Sequence, residues 1–280
     1  MKPPPPVLYS EPKNAFGGDL PRLLLLLGLL FYCVNCSSFS AGLSRETAES
    51  PGAVASVEAQ AVLAELSQRN VLLKSFKGLG KIKVWQKGQL KIDERVAWVG
   101  SGRNKLSIVL MISGYPAVKM ASDGKFFYYY EAGEGRPIFK KYPATEASLE
   151  RIISIPIHTT DIVDLIAGRV PLREHNTAIL EHQDTGQGYV LILKKRWWGV
   201  TEKIYLDENK THIELIECYH RTGSLIYRAR FDEMKMVNGY LVPFKLSISN
   251  GEDAVFQLDV HRYVTDVAVT ASMFELKPPD

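Results

Sequence analysis

Hydrophobic positions along the chain change period once, near residue 75. Before that point Val62, Leu63, Leu66 and Leu73 recur at helical spacing and predict an amphipathic helix over residues 57–73. Ser56 stands ahead of it as a capping residue, and Glu58 in the first turn complements the helix dipole. After that point apolar and polar residues alternate. Strand-like runs occupy residues 76–85, 90–99, 105–112, 117–121, 125–131 and 138–142, separated by Lys87-Gly88, Gly100-Ser101-Gly102, Gly114-Tyr115-Pro116 and Asp123-Gly124. Two short helices follow, over residues 147–153 and 161–167, the second capped by Thr160 and stopped by Gly168. Strands resume at 178–184, 189–195, 201–207, 212–219, 225–232, 242–249 and 255–264. Thirteen candidate strands joined by short hairpins imply one antiparallel sheet, curled or nearly closed.

Some strands are apolar on both faces. Leu106, Ile108, Leu110 and Ile112 point one way and Val109 and Met111 the other, so this strand is expected between two layers, a helix and a barrel interior. The run Phe126, Phe127, Tyr128, Tyr129, Tyr130 also covers both faces. Leu106, Ile108, Leu110, Ile112, Phe127 and Tyr129 are therefore the candidates to line an apolar cavity, although ordinary core packing explains the aromatic run equally well.

The N-terminus is different in kind. Residues 23–34, LLLLLGLLFYCV, form a run of 12 without a charge, preceded by Arg22. A membrane-spanning helix needs about 20 apolar residues, whereas a secretory signal uses about 7–15. Cys33 and Cys36 close the run, and Ser37-Ser38 follow. This resembles a bacterial lipoprotein signal, in which a small-residue tripeptide precedes the Cys that becomes the lipidated N-terminus. Asn35 stands where Gly or Ala is usual and Cys33 where Leu is usual; Cys36 is preferred because bulky Phe31 and Tyr32 precede Cys33. The expected organisation is a signal peptide over 1–35, a lipidated flexible tether over 36–56 rich in Ser, Ala, Gly and Glu, and one domain over 57–280. After cleavage Cys218 has no disulfide partner and is expected to be a buried, inert thiol.

Within that domain, Trp98-Val99 leads to Arg103-Asn104-Lys105-Leu106, the run Val118 to Tyr128 carries Ser122-Asp123-Gly124-Lys125 between an apolar and an aromatic strand, and the chain ends Phe274-Glu275-Leu276-Lys277-Pro278-Pro279. These features, in the order helix, strands, two helices, strands and Phe-x-x-x-Pro-Pro, resemble the Lol family of outer-membrane lipoprotein-sorting proteins over nearly the whole mature chain. The resemblance implies a mainly β protein: a single antiparallel half-open barrel of roughly eleven strands, with an N-terminal helix and two short helices as a lid. Its interior would bind the acyl chains of lipoproteins. It implies that Arg103 bonds backbone groups of the lid helices, and that Tyr115, on the loop between two strands, is an exposed apolar contact. A lipidated Cys36 favours the membrane-anchored receptor over the soluble carrier. The implied location is the periplasmic face of a Gram-negative outer membrane. The implied partners are acylated lipoproteins or other lipid and a soluble periplasmic carrier, with the protein itself a monomer.

Charge and chemistry narrow the alternatives. With 34 Lys+Arg against 31 Asp+Glu, the net charge of +3 gives no basis for nucleic-acid binding. The chain shows no HExxH, GxSxG or phosphate-cradling loop, so an enzyme is not expected and neither is a cofactor. His212, Glu214 and His220 share a strand face, read as solvated rather than metal-binding. Asp161 and Asp164 fit a charged outer helix face or N-terminal capping. Trp197-Trp198, at a strand junction, fits either the core or contact with lipid headgroups, and Lys194, Lys195 and Arg196 beside it fit a solvated loop better than contact with anionic lipid. The competing function is an anchored envelope scaffold whose barrel is filled by its own side chains and which binds another envelope protein.

Overall fold

The computed structural model describes residues 51–133, 136–144, 150–184 and 186–279. The expected signal peptide, Cys36, the expected tether up to residue 50 and the first residues of the second predicted helix lie outside the described residues.

The first described element is α1 (Pro51–Gln68), followed by β1 (Ser75–Gln86), β2 (Gln89–Ser101), β3 (Lys105–Ile112), β4 (Tyr115–Ser122), β5 (Phe126–Glu131) and β6 (Ile138–Pro143). Two helices, α2 (Glu150–Ile153) and α3 (Thr159–Ile166), precede β7 (Thr177–His182), β8 (Tyr189–Lys195), β9 (Gly199–Leu206) and β10 (Ile213–Tyr219). The chain closes with β11 (Leu225–Val237), β12 (Tyr240–Ser249), β13 (Ala254–Thr265) and a 3₁₀ turn, Ala271–Phe274.

All thirteen strands form one antiparallel sheet in the order β6-β5-β4-β3-β2-β1-β13-β12-β11-β10-β9-β8-β7. The strands at its two ends, β6 and β7, do not pair, so the barrel stays half open. Thirteen strands stand where the resemblance implied about eleven, because every alternating run bounded by turn residues pairs with a neighbour. Antiparallel order places the β1–β2, β3–β4, β5–β6, β8–β9, β10–β11 and β12–β13 turns at one end of the sheet, the hairpin end. Three two-residue loops, Lys87-Gly88, Ser113-Gly114 and Asn238-Gly239, have positive φ at both positions, the geometry that matches strand twist.

The helices differ from expectation at their ends. α1 starts at Pro51, whose missing N–H costs nothing in a first helical turn, so Ser56 lies inside the helix rather than capping it. It stops at Gln68 because Asn70 adopts φ 52°. The Asn70 side chain donates to Ala167 O at 2.8 Å and Leu241 O at 2.7 Å, tying the helix end to α3 and β12. Val62 and Leu66 are buried as α1 packs on β7 and β8, and Leu73, beyond the turn, is buried too. α3 starts one residue before Thr160; its capping position is His158, which gives no side-chain cap.

Alternation along β1 and β2 sends Phe76, Ile82, Val84, Val96 and Trp98 to the inner face beneath α2 and α3. The Gly100-Ser101-Gly102 turn is shorter than expected: β2 runs through Ser101, and the turn is Gly102-Arg103-Asn104. Gly100 belongs to the strand because Phe76 from β1 lies over it, and Phe76 in turn stacks on Tyr263 at 5.7 Å. Trp98 covers Gly78 in the same way. A methyl group at either glycine would collide with the ring. Gly100→Ala should therefore cost about 1–3 kcal/mol of stability, read as a lower urea midpoint with an unchanged slope. A midpoint at the wild-type value would show that the ring moves aside freely.

Candidate functional site

The inner face of β1–β4 and β13, closed over by α2 and α3, surrounds a cavity of about 50 Å³. Ile82, Ile92, Val96, Trp98, Ile108, Leu110, Met120, Phe256 and Leu258 supply the sheet side, and Ile153, Ile162 and Ile166 the helix side. Every one of these side chains is apolar or aromatic. Ile92, Ile108 and Phe256 are only half-buried, and Ile92 and Phe256 lie near the hairpin end of their strands. Pockets for small ligands measure about 300–1,000 Å³, so the cavity is nearly shut in this conformation. Enlarging it requires α2 and α3 to move away from the sheet.

α3 is held by charges. Asp164, on its second turn, is 3 % exposed and sits between two arginines. Arg103, from the β2–β3 turn, donates to Asp164 Oδ2 from Nε at 3.2 Å and from Nη2 at 2.5 Å, so it meets a side-chain carboxylate of α3 rather than the helix backbone groups that the resemblance implied. Arg169 donates from Nε to Oδ1 at 2.8 Å, from Nη1 to Leu73 O at 3.1 Å and from Nη2 to Gly102 O at 2.7 Å. Burial pushes the Asp164 pKa up, and the two guanidiniums pull against that rise. Tyr263 adds a bond from its hydroxyl to Ile166 O at 3.2 Å.

The two arginines are not equivalent. The Arg103 side chain is 63 % exposed, and an ion pair wet on one side contributes about 0.2–1 kcal/mol. Arg169 is buried, and its loss would strand two carbonyls and leave the buried carboxylate with the exposed arginine alone, at a cost of about 3–5 kcal/mol. Arg103 is thus a releasable contact and Arg169 a fixed one.

A second cluster secures the start of α3. Asp161 Oδ2 accepts a bond from Arg173 Nη2 and another from the Tyr227 hydroxyl at 3.1 Å. The Arg173 backbone N–H donates to Glu202 Oε2 at 2.9 Å. Glu202 is fully buried, and its Oε1 has no hydrogen-bond partner. Burial pushes its pKa up from 4.5 to about 8, against the pull of Arg173. Cys218 is buried alongside, and burial raises its thiol to about 12, which leaves it protonated and unreactive.

The other expected residues fall in varied places. Ile108 and Leu110 line the cavity, while Leu106 and Phe127 are buried in the adjoining core around Thr159. Ile112, the last residue of β3, is 43 % exposed at the hairpin end and does not line the cavity, because the helices do not reach that far. Tyr129 is half-buried and donates its hydroxyl to Glu131 Oε2 at 2.7 Å. Tyr115 is 76 % exposed, and it is the first residue of β4 rather than the loop tip, which is Ser113-Gly114. His212 and His220 flank β10 instead of lying within it. Among the described residues no group of three or more His, Cys, Asp or Glu comes together to hold a metal.

Asp161 and Asp164 overturn the expectation of a charged outer face, since both are buried and paired. They are the only charged residues between 155 and 168, a segment whose second half is otherwise apolar, and Arg169 and Arg173 follow closely. An isolated acid in such a stretch is tolerated only when a cation answers it.

Two solved structures share this fold. A DUF1329 family protein from Desulfovibrio piger superposes with a TM-score of 0.55 at 10 % identity, covering 79 % of this chain and 97 % of that one. A LolA superfamily protein from Nitrosomonas europaea superposes with a TM-score of 0.53 at 16 % identity, covering 78 % and 97 %. The chain has a Lol-like fold. No family model matches its sequence, and no curated protein matches it either. In this Lol-like fold the cavity, its two helices and their charged anchors all lie on the inner face of the sheet.

Glu202 makes the anchoring pH-dependent. Its folded pKa of about 8 lies above its ordinary 4.5, so the native state holds a proton that the unfolded chain releases. Its contribution is complete below about pH 4.5 and is lost as pH rises towards about 8. Glu202→Gln, which keeps the shape without the charge, should flatten the fall in urea stability across that window. An unaltered pH profile would show that Glu202 is ionised throughout.

Proposed function

We propose that this protein is a non-enzymatic lipoprotein of the bacterial envelope, anchored through Cys36 to the periplasmic face of the outer membrane. It accepts the acyl chains of other lipoproteins in the cavity beneath α2 and α3 and helps deliver them to that membrane. The observation that carries this reading is an all-apolar cavity roofed by a helix whose outer anchor, Arg103, is releasable. Each methylene leaving water gains about 0.8 kcal/mol, so a chain entering such a cavity is bound without nucleotide or cofactor, and transfer follows a difference in affinity between successive apolar hosts. The Lol-like fold supports the same reading.

A second reading draws on the cavity's small volume of about 50 Å³. A scaffold whose barrel is filled by its own side chains would also be nearly closed, and it would bind a protein rather than a lipid.

A triacylated cysteinyl peptide tests the proposal. It should displace an apolar fluorescent dye from the protein, and the same peptide without acyl chains should not. Arg103→Leu should speed dye entry and release by up to about fivefold, the kinetic equivalent of an exposed ion pair, with the melting temperature nearly unchanged. Equal displacement by both peptides, or none by either, would favour the scaffold.

A further inference from the structure

The loop between β8 and β9 is built in an uncommon way. Trp198 N–H donates to Lys195 O at 2.9 Å and closes a tight turn whose third residue is Trp197. That residue sits at φ 69°, a left-handed conformation that normally falls to glycine or asparagine and is costly for a large side chain. The turn directs Trp197 outward, where it is 83 % exposed, with Trp198 beside it at 42 %. Neither ring finds a core to fill.

Cations surround both rings. The Arg196 guanidinium lies 5.2 Å from the Trp197 ring centre, Lys195 Nζ lies 4.2 Å from that of Trp198, and the Arg221 guanidinium, from the β10–β11 turn, lies 5.7 Å from the same ring. Glu174 answers Lys195, but Arg196 and Arg221 have no carboxylate partner among the described residues. A strained turn therefore holds two indoles in water next to unanswered positive charge.

We propose that this hairpin is a docking element for the surface of a phospholipid bilayer carrying anionic headgroups. Indole rings favour the boundary between headgroups and acyl chains, having an apolar body and one N–H that stays hydrated. Each cation near an anionic surface adds attraction that salt weakens. A protein partner matched to Arg196 and Arg221 would have to bring carboxylates to both flanks of the rings, whereas a bilayer supplies apolar depth and anionic surface together. The hairpin lies at the same end of the sheet as the half-buried side of the cavity, yet the inference does not depend on what the cavity binds.

Fluorescence quenching tests it on the full chain. Vesicles of phosphatidylcholine mixed with brominated phosphatidylglycerol should quench the tryptophan emission and shield it from acrylamide, and vesicles of brominated phosphatidylcholine alone should do neither. Arg196→Glu combined with Arg221→Glu keeps both rings and should require roughly tenfold more anionic lipid for the same quenching. Trp197→Phe with Trp198→Phe should abolish the quenching while dye binding in the cavity and the melting temperature stay at wild-type values. The proposal fails if quenching persists in that variant, if it is equal in both lipids, or if acrylamide shielding appears with rising protein concentration in the absence of vesicles, which would assign the hairpin to a protein interface.

Discussion

Asp164 is the point on which the roof of this molecule depends. A thirteen-stranded sheet that stays open between its end strands has an apolar inner face too large to leave in water, and α2 and α3 are the short elements that cover part of it. A helix the length of α3 has little stability of its own. It is kept in place by burial of Ile162, Leu165 and Ile166, and by a carboxylate caught between Arg103 and Arg169. Burying that carboxylate unpaired would cost several kcal/mol, so the helix is in register only when the arginines are there to meet it.

The anchors differ in how easily they yield. Arg169 is enclosed and spans α3, Leu73 and Gly102, so it joins the lid to the frame permanently. Arg103 reaches Asp164 from solvent. Releasing it leaves Asp164 still paired and the core intact, which makes it the weaker link by a few kcal/mol. Near the start of α3, Glu202 adds a buried group whose charge depends on pH. Together these contacts describe a cover that is fixed along one side and loosely latched on the other, over a nearly closed space.

Much of the fold was legible in the residues. Period-two alternation located all thirteen strands, and Lys87-Gly88, read as a turn signal, takes the backbone geometry that a tight hairpin requires. The misplaced boundaries have physical causes. The helix expected to reach Leu73 ends at Gln68 because Leu73 continues the apolar spacing after the turn at Asn70, and period alone cannot register a turn. Gly100 resembles a turn residue in sequence, but it is glycine to make room for Phe76, a requirement set by a neighbouring strand. The candidate site was legible in part. Ile108 and Leu110 emerged from alternation, and Arg103 from resemblance. Asp164 was read as an outer-face residue, and Arg169 and Glu202 were missed, because their meaning lies in partners 60 or more residues away or in burial that no local pattern reports.

The central claim is that the inner cavity takes acyl chains. Mass spectrometry of the full chain, purified from its host membrane in mild detergent, tests it directly. The account predicts species heavier than the protein by the mass of an acylated lipid or lipoprotein, with the excess retained under native conditions and lost on denaturation. A protein whose native and denatured masses agree, isolated without any displaced acyl species, would contradict it.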